Sequence, residues 1–416
     1  MKTDTVISTL RDREFWIAFL ISAPILLLPV RNSAELPILI MAIAGATLIF
    51  RRRSELFSTP QTRYFSLLFF LIWLPIALSL PDSANFNATL KVAAGHLRFF
   101  LAGIFIINAL KSATVLGYFH KLISLILLFW VFDAMLQYAL GQDLFGIPLN
   151  TERLNGLFGD NLKLGQMAAV LSPFLLLYMN RYPIPYRMIV WGGVFLVVLL
   201  SNSRASWVIL AISMSGIFLH EFRLNKRKAI SGMAAAFIAF FASSALLYTT
   251  SSSFEKRIDQ TMLLFSGKVS KIDKALSVRL PIWNTALEMI ESNPINGIGA
   301  RGFRDEYFDY AATDDPFRSL NITPTHPHQM FLEIGSETGL LGLAGLLGLL
   351  ILFGRLFFRS IGKDVISASL AISFLAAIFP INTHLAIYSS FWAMIIWWLA
   401  ALHCSTSTNN DTNTSS

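Results

Sequence analysis

The sequence predicts an all-α, polytopic membrane protein of about twelve transmembrane helices, with one long helical loop between the ninth and tenth. Three observations lead there. Of 416 residues, 55% are hydrophobic and only 14% charged, and the mean hydropathy is +0.59. A water-soluble domain has no interior that hides so much apolar surface, whereas a membrane protein turns it to lipid. The apolar residues fall in runs near the length that crosses a hydrocarbon core. Lys and Arg sit in short clusters in alternate gaps between those runs. That pattern also argues against nucleic acid as a partner despite a net charge of +8, because the cations are not gathered on one face.

The runs lie at about 15–31, 35–50, 64–81, 97–110, 118–140, 163–180, 187–203, 205–221, 229–250, 335–358, 364–380 and 384–402. The first lacks a small-residue cleavage site and reads as a span rather than a signal peptide. Pro24, Pro75 and Pro173 predict kinks. Arg11 and Arg13 precede the first run, and Arg51, Arg52, Arg53 and Arg63 follow the second. Arg181 and Arg187 follow the sixth, Arg223, Lys226, Arg227 and Lys228 the eighth, and Arg355, Arg359 and Lys363 the tenth. All fall on one side if the N-terminus is cytoplasmic. Both termini are then inside, and the connections holding Asn150–Asn161, Arg204 and residues 251–334 face outward. One integral membrane domain, 1–404, is expected, followed by a Ser/Thr/Asn-rich, disordered cytoplasmic tail, 405–416. The lone cysteine, Cys404, excludes an internal disulfide framework and a Cys-based metal cluster.

Within the long loop, Leu280, Trp283, Leu287 and Ile290 recur at helical spacing, with Pro281 near the start and Asn293-Pro294 as the stop. The turn Asn296–Phe303 contains G-x-G-x-x-G. A helix precedes it where a dinucleotide site needs a strand, so that reading fails.

Five residues could carry chemistry. Arg204, in Ser203-Arg204-Ala205-Ser206-Trp207, is either an arginine reaching for lipid headgroups or an anion clamp with room for a large ligand beside it. Arg279 precedes Leu-Pro-Ile-Trp, which should pack down onto the membrane. Arg153 opens the other structured outward loop with the same ambiguity. His326 and His328 flank a proline where the loop dives into lipid. At that spacing their rings should point in different directions, and no third His or Cys stands near, so a metal site is not expected. His328 is either a cap for the following helix or a general base that accepts a proton near neutral pH.

At these residues the chain resembles the O-antigen ligase superfamily, which also holds O-antigen polymerases and protein O-oligosaccharyltransferases. The matching segments run in order: Arg153–Asn161, Ser203–Trp207, Arg279 ahead of Trp283, Pro294–Gly299, His328–Leu332 and Glu337–Gly342. Gln329 stands where the family often has Asn or Ser. The resemblance implies a membrane-embedded, inverting glycosyltransferase of the GT-C type that needs no metal or other cofactor. It implies a donor glycan on undecaprenyl pyrophosphate, and for a ligase a sugar hydroxyl of lipid A–core as acceptor. The expected location is the bacterial inner membrane, with a periplasmic active site. In those terms His328 is the base, Arg204 and Arg279 clamp the pyrophosphate, and Arg153 and His326 bind or position substrate. A transporter is the rival from another class. Intramembrane acids are few, Asp133 being the clearest, and no interrupted helix pair repeats in both halves.

Overall fold

The computed structural model describes residues 12–150, 152–380 and 385–407. Among them no residue lies in a strand, and the one bridge is Gln142–Pro148. The α-helices are α1 (Arg13–Leu26), α2 (Glu35–Ser58), α3 (Pro60–Leu78), α4 (Phe86–Ala109), α5 (Ala113–Leu140) and α6 (Leu164–Tyr178). Next come α7 (Ile184–Leu200), α8 (Arg204–Leu224) and α9 (Lys226–Thr250). The long loop folds as α10 (Ser252–Met262), α11 (Val269–Ala275), α12 (Leu280–Ser292), α13 (Phe303–Tyr310) and α14 (Pro316–Leu320). The chain then returns as α15 (Met330–Ser360), α16 (Val365–Ile378) and α17 (Ser390–Ser407). Each predicted apolar run overlaps one of these helices; residues 27–31 of the first run and 385–389 of the last are not helical, and residue 384 lies outside the described residues. By length and composition α3, α4, α5, α8, α9 and α15 can cross a membrane, while α7, α16 and α17 are shorter apolar helices.

Capping chemistry sets many of the ends. Asp12, Asn85 and Asp364 accept first-turn N–H groups at the starts of α1, α4 and α16, and left-handed Gly141 closes α5. Pro24, Pro75 and Pro173 do lie inside helices, yet non-helical backbone angles occur elsewhere, at Arg52 in α2 and Gly339 in α15. A proline's fixed φ is itself compatible with a helix, so its presence need not show as a non-helical backbone angle. Helix α17 runs on through Ser407, beyond the expected start of the tail, and residues 408–416 lie outside the described residues.

The core follows from which helices are apolar all round. In α6 every residue from Leu164 to Leu177 except Gln166 is buried, and α16 packs against both α6 and α17. Helix α9 is the opposite case, with only Ala229, Ala236 and Leu247 buried.

Connections predicted to share a side touch one another. At one end the Arg223 guanidinium donates to Phe358 O (2.8 Å) and Ile361 O (3.1 Å), and Gly362 N–H donates to His220 Nδ1 (3.1 Å). At the other end, Asn296 donates to Asp82 (2.6 Å), Asn85 to Asp305 (2.6 Å), and Ala84 N–H to Ile298 O (2.9 Å). Asp133 belongs to this second end: its carboxylate accepts Leu144 N–H (3.1 Å) and so anchors the α5–α6 loop.

Helix α15 is broken at Gly339 (φ 62, ψ −158), and the Gly297-Ile-Gly299 turn fills the break. Ile298 N–H donates to Ser336 O (2.9 Å) and Gly299 N–H to Glu337 O (2.9 Å). In return Leu340 N–H donates to Pro294 O (2.8 Å) and Leu341 N–H to Ile295 O (3.3 Å). The glycines therefore serve backbone-to-backbone docking: a Cβ on Gly297 would lie 2.5 Å from the Glu337 carbonyl carbon. This clamp supports the first turns of α15, directly after the histidines.

Candidate active site

Arg204 is positioned by two neighbours. Ser203 caps α8, its Oγ accepting Ser206 N–H (3.4 Å), which puts Arg204 at the first helical position. Left-handed Asn202 (φ 49) turns the chain out of α7, and its amide donates to Glu152 O (2.6 Å) and Ser253 Oγ (3.0 Å). One side chain thus ties the α5–α6 loop to the start of α10. The Arg204 guanidinium donates to the Ala275 carbonyl and to Ser277 Oγ (2.8 Å). It is turned to the long loop, not out to headgroups.

The segment it holds delivers Arg279. Ser277 (φ 62) and Val278 (φ 56) are consecutive left-handed residues, and for a β-branched valine this is a true outlier. Such a conformation costs on the order of 1–3 kcal/mol per residue and persists where the surroundings over-determine it. Here Asp273 does so: its carbonyl accepts Val278 N–H (2.9 Å) and its carboxylate accepts Leu280 N–H (3.0 Å). Arg279 then stands at the N-cap of α12, with Pro281 in the first turn and Asn293 closing the helix, as predicted. Burial, and then the Arg204 charge, loosen the Arg279 guanidinium's hold on its proton, to about 10. It remains charged at neutral pH.

Trp283 connects this helix to the histidines. Its indole N–H donates to Pro327 O (3.0 Å), the peptide carbonyl just before His328. Gln329, not His328, caps α15: its Oε1 accepts Leu332 N–H (2.8 Å), while its amide N–H donates to Pro380 O (3.1 Å). The capping alternative for His328 is therefore excluded, and the residue that departs from the family pattern does the capping. His328 itself is left-handed (φ 56). That backbone state overturns the expectation of divergent rings: the His326 and His328 rings lie 3.8 Å apart between centroids, at 51°. His326 is buried, with Nδ1 3.0 Å from Thr325 Oγ1.

These elements enclose a cleft of about 260 Å³. Arg153, Arg204, Arg279 and His328 all line it, whereas His326 sits behind His328. Two further cations, Lys163 and Arg257, line it as well, and sequence reasoning passed them over. Lys163 follows left-handed Leu162, and its ammonium lies 3.7 Å from the Phe391 ring centroid. The Arg257 pKa is lowered first by burial and then by the Arg153 charge. The Asp-Asn-Leu-Lys run was a signal for Lys163, because it places a cation directly after the quoted Arg153–Asn161 segment. Arg257 had none beyond its loop. Among the described residues no carboxylate lines the cleft, and no group of three His, Cys, Asp or Glu side chains is arranged to hold a metal. Such a set of side chains can hold an anion next to an imidazole.

Residues 188–347 match the family described as O-antigen ligase. The similarity to that family is confined to this span, less than half of the chain. The matched span contains Arg204, Arg257, Arg279 and His328; Arg153 and Lys163 precede it. The superfamily is one of glycosyltransferase-like membrane enzymes, in keeping with the helical architecture here. The chain is also similar to an uncharacterized protein of Haemophilus influenzae (strain ATCC 51907 / DSM 11121 / KW20 / Rd), 25% identical over 211 residues. That match covers 48% of this chain and 51% of the other, so the chain spans about half the length of this curated relative. The turn at Gly297–Gly299 and the break at Gly339 both lie inside the matched span.

Proposed function

We propose that this protein is an O-antigen ligase that crosses the bacterial inner membrane about twelve times, with both termini in the cytoplasm and residues 251–334 in the periplasm. It transfers a glycan from undecaprenyl pyrophosphate to a sugar hydroxyl of lipid A–core, with inversion and without a metal ion. The observation that carries this reading is that His328 shares one cleft with Arg204 and Arg279, with no acid among the lining residues.

The chemistry follows from that arrangement. The acceptor oxygen forms a bond to the anomeric carbon as the bond from that carbon to the pyrophosphate oxygen breaks. The departing electron pair leaves negative charge on the pyrophosphate, which Arg204 and Arg279 stabilise through planar, always-charged forks. Arg204 is already oriented by Ala275 and Ser277, and Arg279 by the turn behind it, so little reorganisation accompanies the reaction. A sugar hydroxyl is a weak nucleophile, and His328 takes its proton, which contributes about 10²–10⁴-fold. Arg153 and His326 position substrate and the base, respectively. The lipid tail lies between kinked helices at the bilayer face of the cleft.

The test is a deletion strain analysed by lipopolysaccharide gel. Loss of the long ladder with retained core and accumulated lipid-linked polymer supports a ligase. A core bearing a single repeat points to a polymerase, and an unchanged ladder with loss of glycosylated exported proteins points to a protein oligosaccharyltransferase.

A further inference from the structure

The cleft holds more positive charge than the donor's pyrophosphate uses. Five cations line it, Arg153, Lys163, Arg204, Arg257 and Arg279, with no carboxylate beside them. A pyrophosphate esterified at both ends carries about two negative charges, and about three once transfer frees one end. At least two cations are left over. None of them makes a close ion pair: among the described residues the salt bridge is Arg98–Glu35, neither of which lines the cleft. Like charges drawn partly out of water repel one another and are kept together where a ligand neutralises them.

The cations also divide by attachment. Arg204 and Arg279 meet at the 275–279 turn, one hydrogen-bonded to it and the other following it. Arg257 comes from α10 and Arg153 from the α5–α6 loop, two elements that the Asn202 amide ties together. One Arg257 N–H is fixed on Gln260 Oε1 (3.1 Å), and the Gln260 amide is in turn fixed on Lys274 O (2.8 Å). The guanidinium of this cleft-lining residue is therefore held in place on one side. Glu152, the acid nearest in sequence to Arg153, is exposed and lies outside the cleft lining; its charge partly offsets the effect of burial and of Arg153 on Arg257.

Building on the ligase reading, we infer that Arg153 and Arg257 form a second anion subsite, separate from the pyrophosphate clamp, for a phosphate or carboxylate carried on a sugar. Two planar forks from different elements suit the tetrahedral or planar oxygens of such a group, which lysines would hold as point charges only. The anionic sugar belongs either to the acceptor, near the attacking hydroxyl, or to the donor glycan, near its reducing end.

The experiment uses the full chain in nanodiscs and has two arms. In one, a neutral-sugar donor is offered with a phosphorylated lipid A–core acceptor or with the same acceptor after phosphatase treatment. In the other, the phosphatase-treated acceptor is offered with donors that carry a uronic acid or a neutral sugar at the reducing end. Wild type should prefer the anionic partner in one arm by about 10- to 100-fold in kcat/KM, the worth of a hydrogen bond to a charged group. Arg153→Gln and Arg257→Gln should bring that ratio toward one, Arg257→Lys should keep part of it, and all three should bind inorganic pyrophosphate about as wild type does. The inference is overturned if wild type shows no preference in either arm, or if the Gln variants keep it. It is also overturned if they lose pyrophosphate binding as fully as Arg279→Ala, which would put them in the clamp. Wild type that transfers to no acceptor in either arm overturns the ligase reading itself, and the inference with it.

Discussion

Replacing Gly339 with alanine tests whether the broken helix is a built feature of the site. Its backbone (φ 62, ψ −158) lies in a region that only glycine visits readily, so a side chain there costs roughly 1–3 kcal/mol in strain. A Cβ would also stand 2.2 Å from Ile295 O, 2.4 Å from its carbonyl carbon and 2.8 Å from Asn296 N. These are backbone atoms of the docked turn, so the turn must move away by about an ångström. The four hydrogen bonds that join it to α15 each contribute on the order of 0.5–1.5 kcal/mol, and losing two adds about 1–3. The sum is a destabilisation of about 2–6 kcal/mol. Gly354, in the same helix, is the control: a Cβ there meets nothing within 4 Å, and alanine should be neutral or stabilising by up to about 1 kcal/mol. The assay is thermal unfolding of purified variants in detergent, followed by intrinsic fluorescence, together with single-turnover transfer. Gly339→Ala should melt several degrees below Gly354→Ala and transfer more slowly. Equal melting temperatures would refute the clamp.

Other consequences can be checked in parallel. Trp283→Phe removes the donor to Pro327 O while keeping the aromatic bulk, and should slow transfer about 10- to 100-fold with donor binding intact; a full-rate variant would mean the tie does not place His328. His326→Ala should lower turnover on a similar scale, because its ring supports that of His328 at 3.8 Å, and unaltered turnover would show that support to be idle. Reporters fused after Arg53, Lys228 and Lys363 should register cytoplasm and one within 251–325 periplasm; a cytoplasmic signal from the last would place the site on the wrong face for the donor.

Much of this was readable in the sequence because it rests on local chemistry. Apolar run length placed the helices, Pro281 and Asn293 bounded α12, and connections expected to share a side, such as those at Arg223 and Ile361 or at Asp82 and Asn296, do meet. The residue types of Arg153, Arg204, Arg279 and His328 pointed to anion handling and proton transfer, and the fold brings the four into one cleft. The parts that were not readable depend on distant partners. Gly339 breaks α15 because a turn some forty residues earlier supplies replacement hydrogen bonds, which no helical periodicity reports. His328 is left-handed in a loop whose preceding carbonyl Trp283 holds from another helix, so ring direction was misjudged from spacing alone. Arg257 joins the cleft only because Asn202 ties α10 to the α5–α6 loop, a contact across fifty residues. Its own neighbours in sequence give no hint of that.

The most direct test of the central assignment separates binding from proton transfer in the same preparation. Donor binding and single-turnover transfer are measured for His328→Ala, Arg204→Ala and Arg279→Ala in nanodiscs, each first shown to be folded. His328→Ala should lose about 10²–10⁴-fold in rate while holding donor nearly as wild type does. Each arginine variant should lose rate and donor affinity together, with Lys restoring only a part. Normal turnover by His328→Ala, or by both arginine variants, would contradict the account.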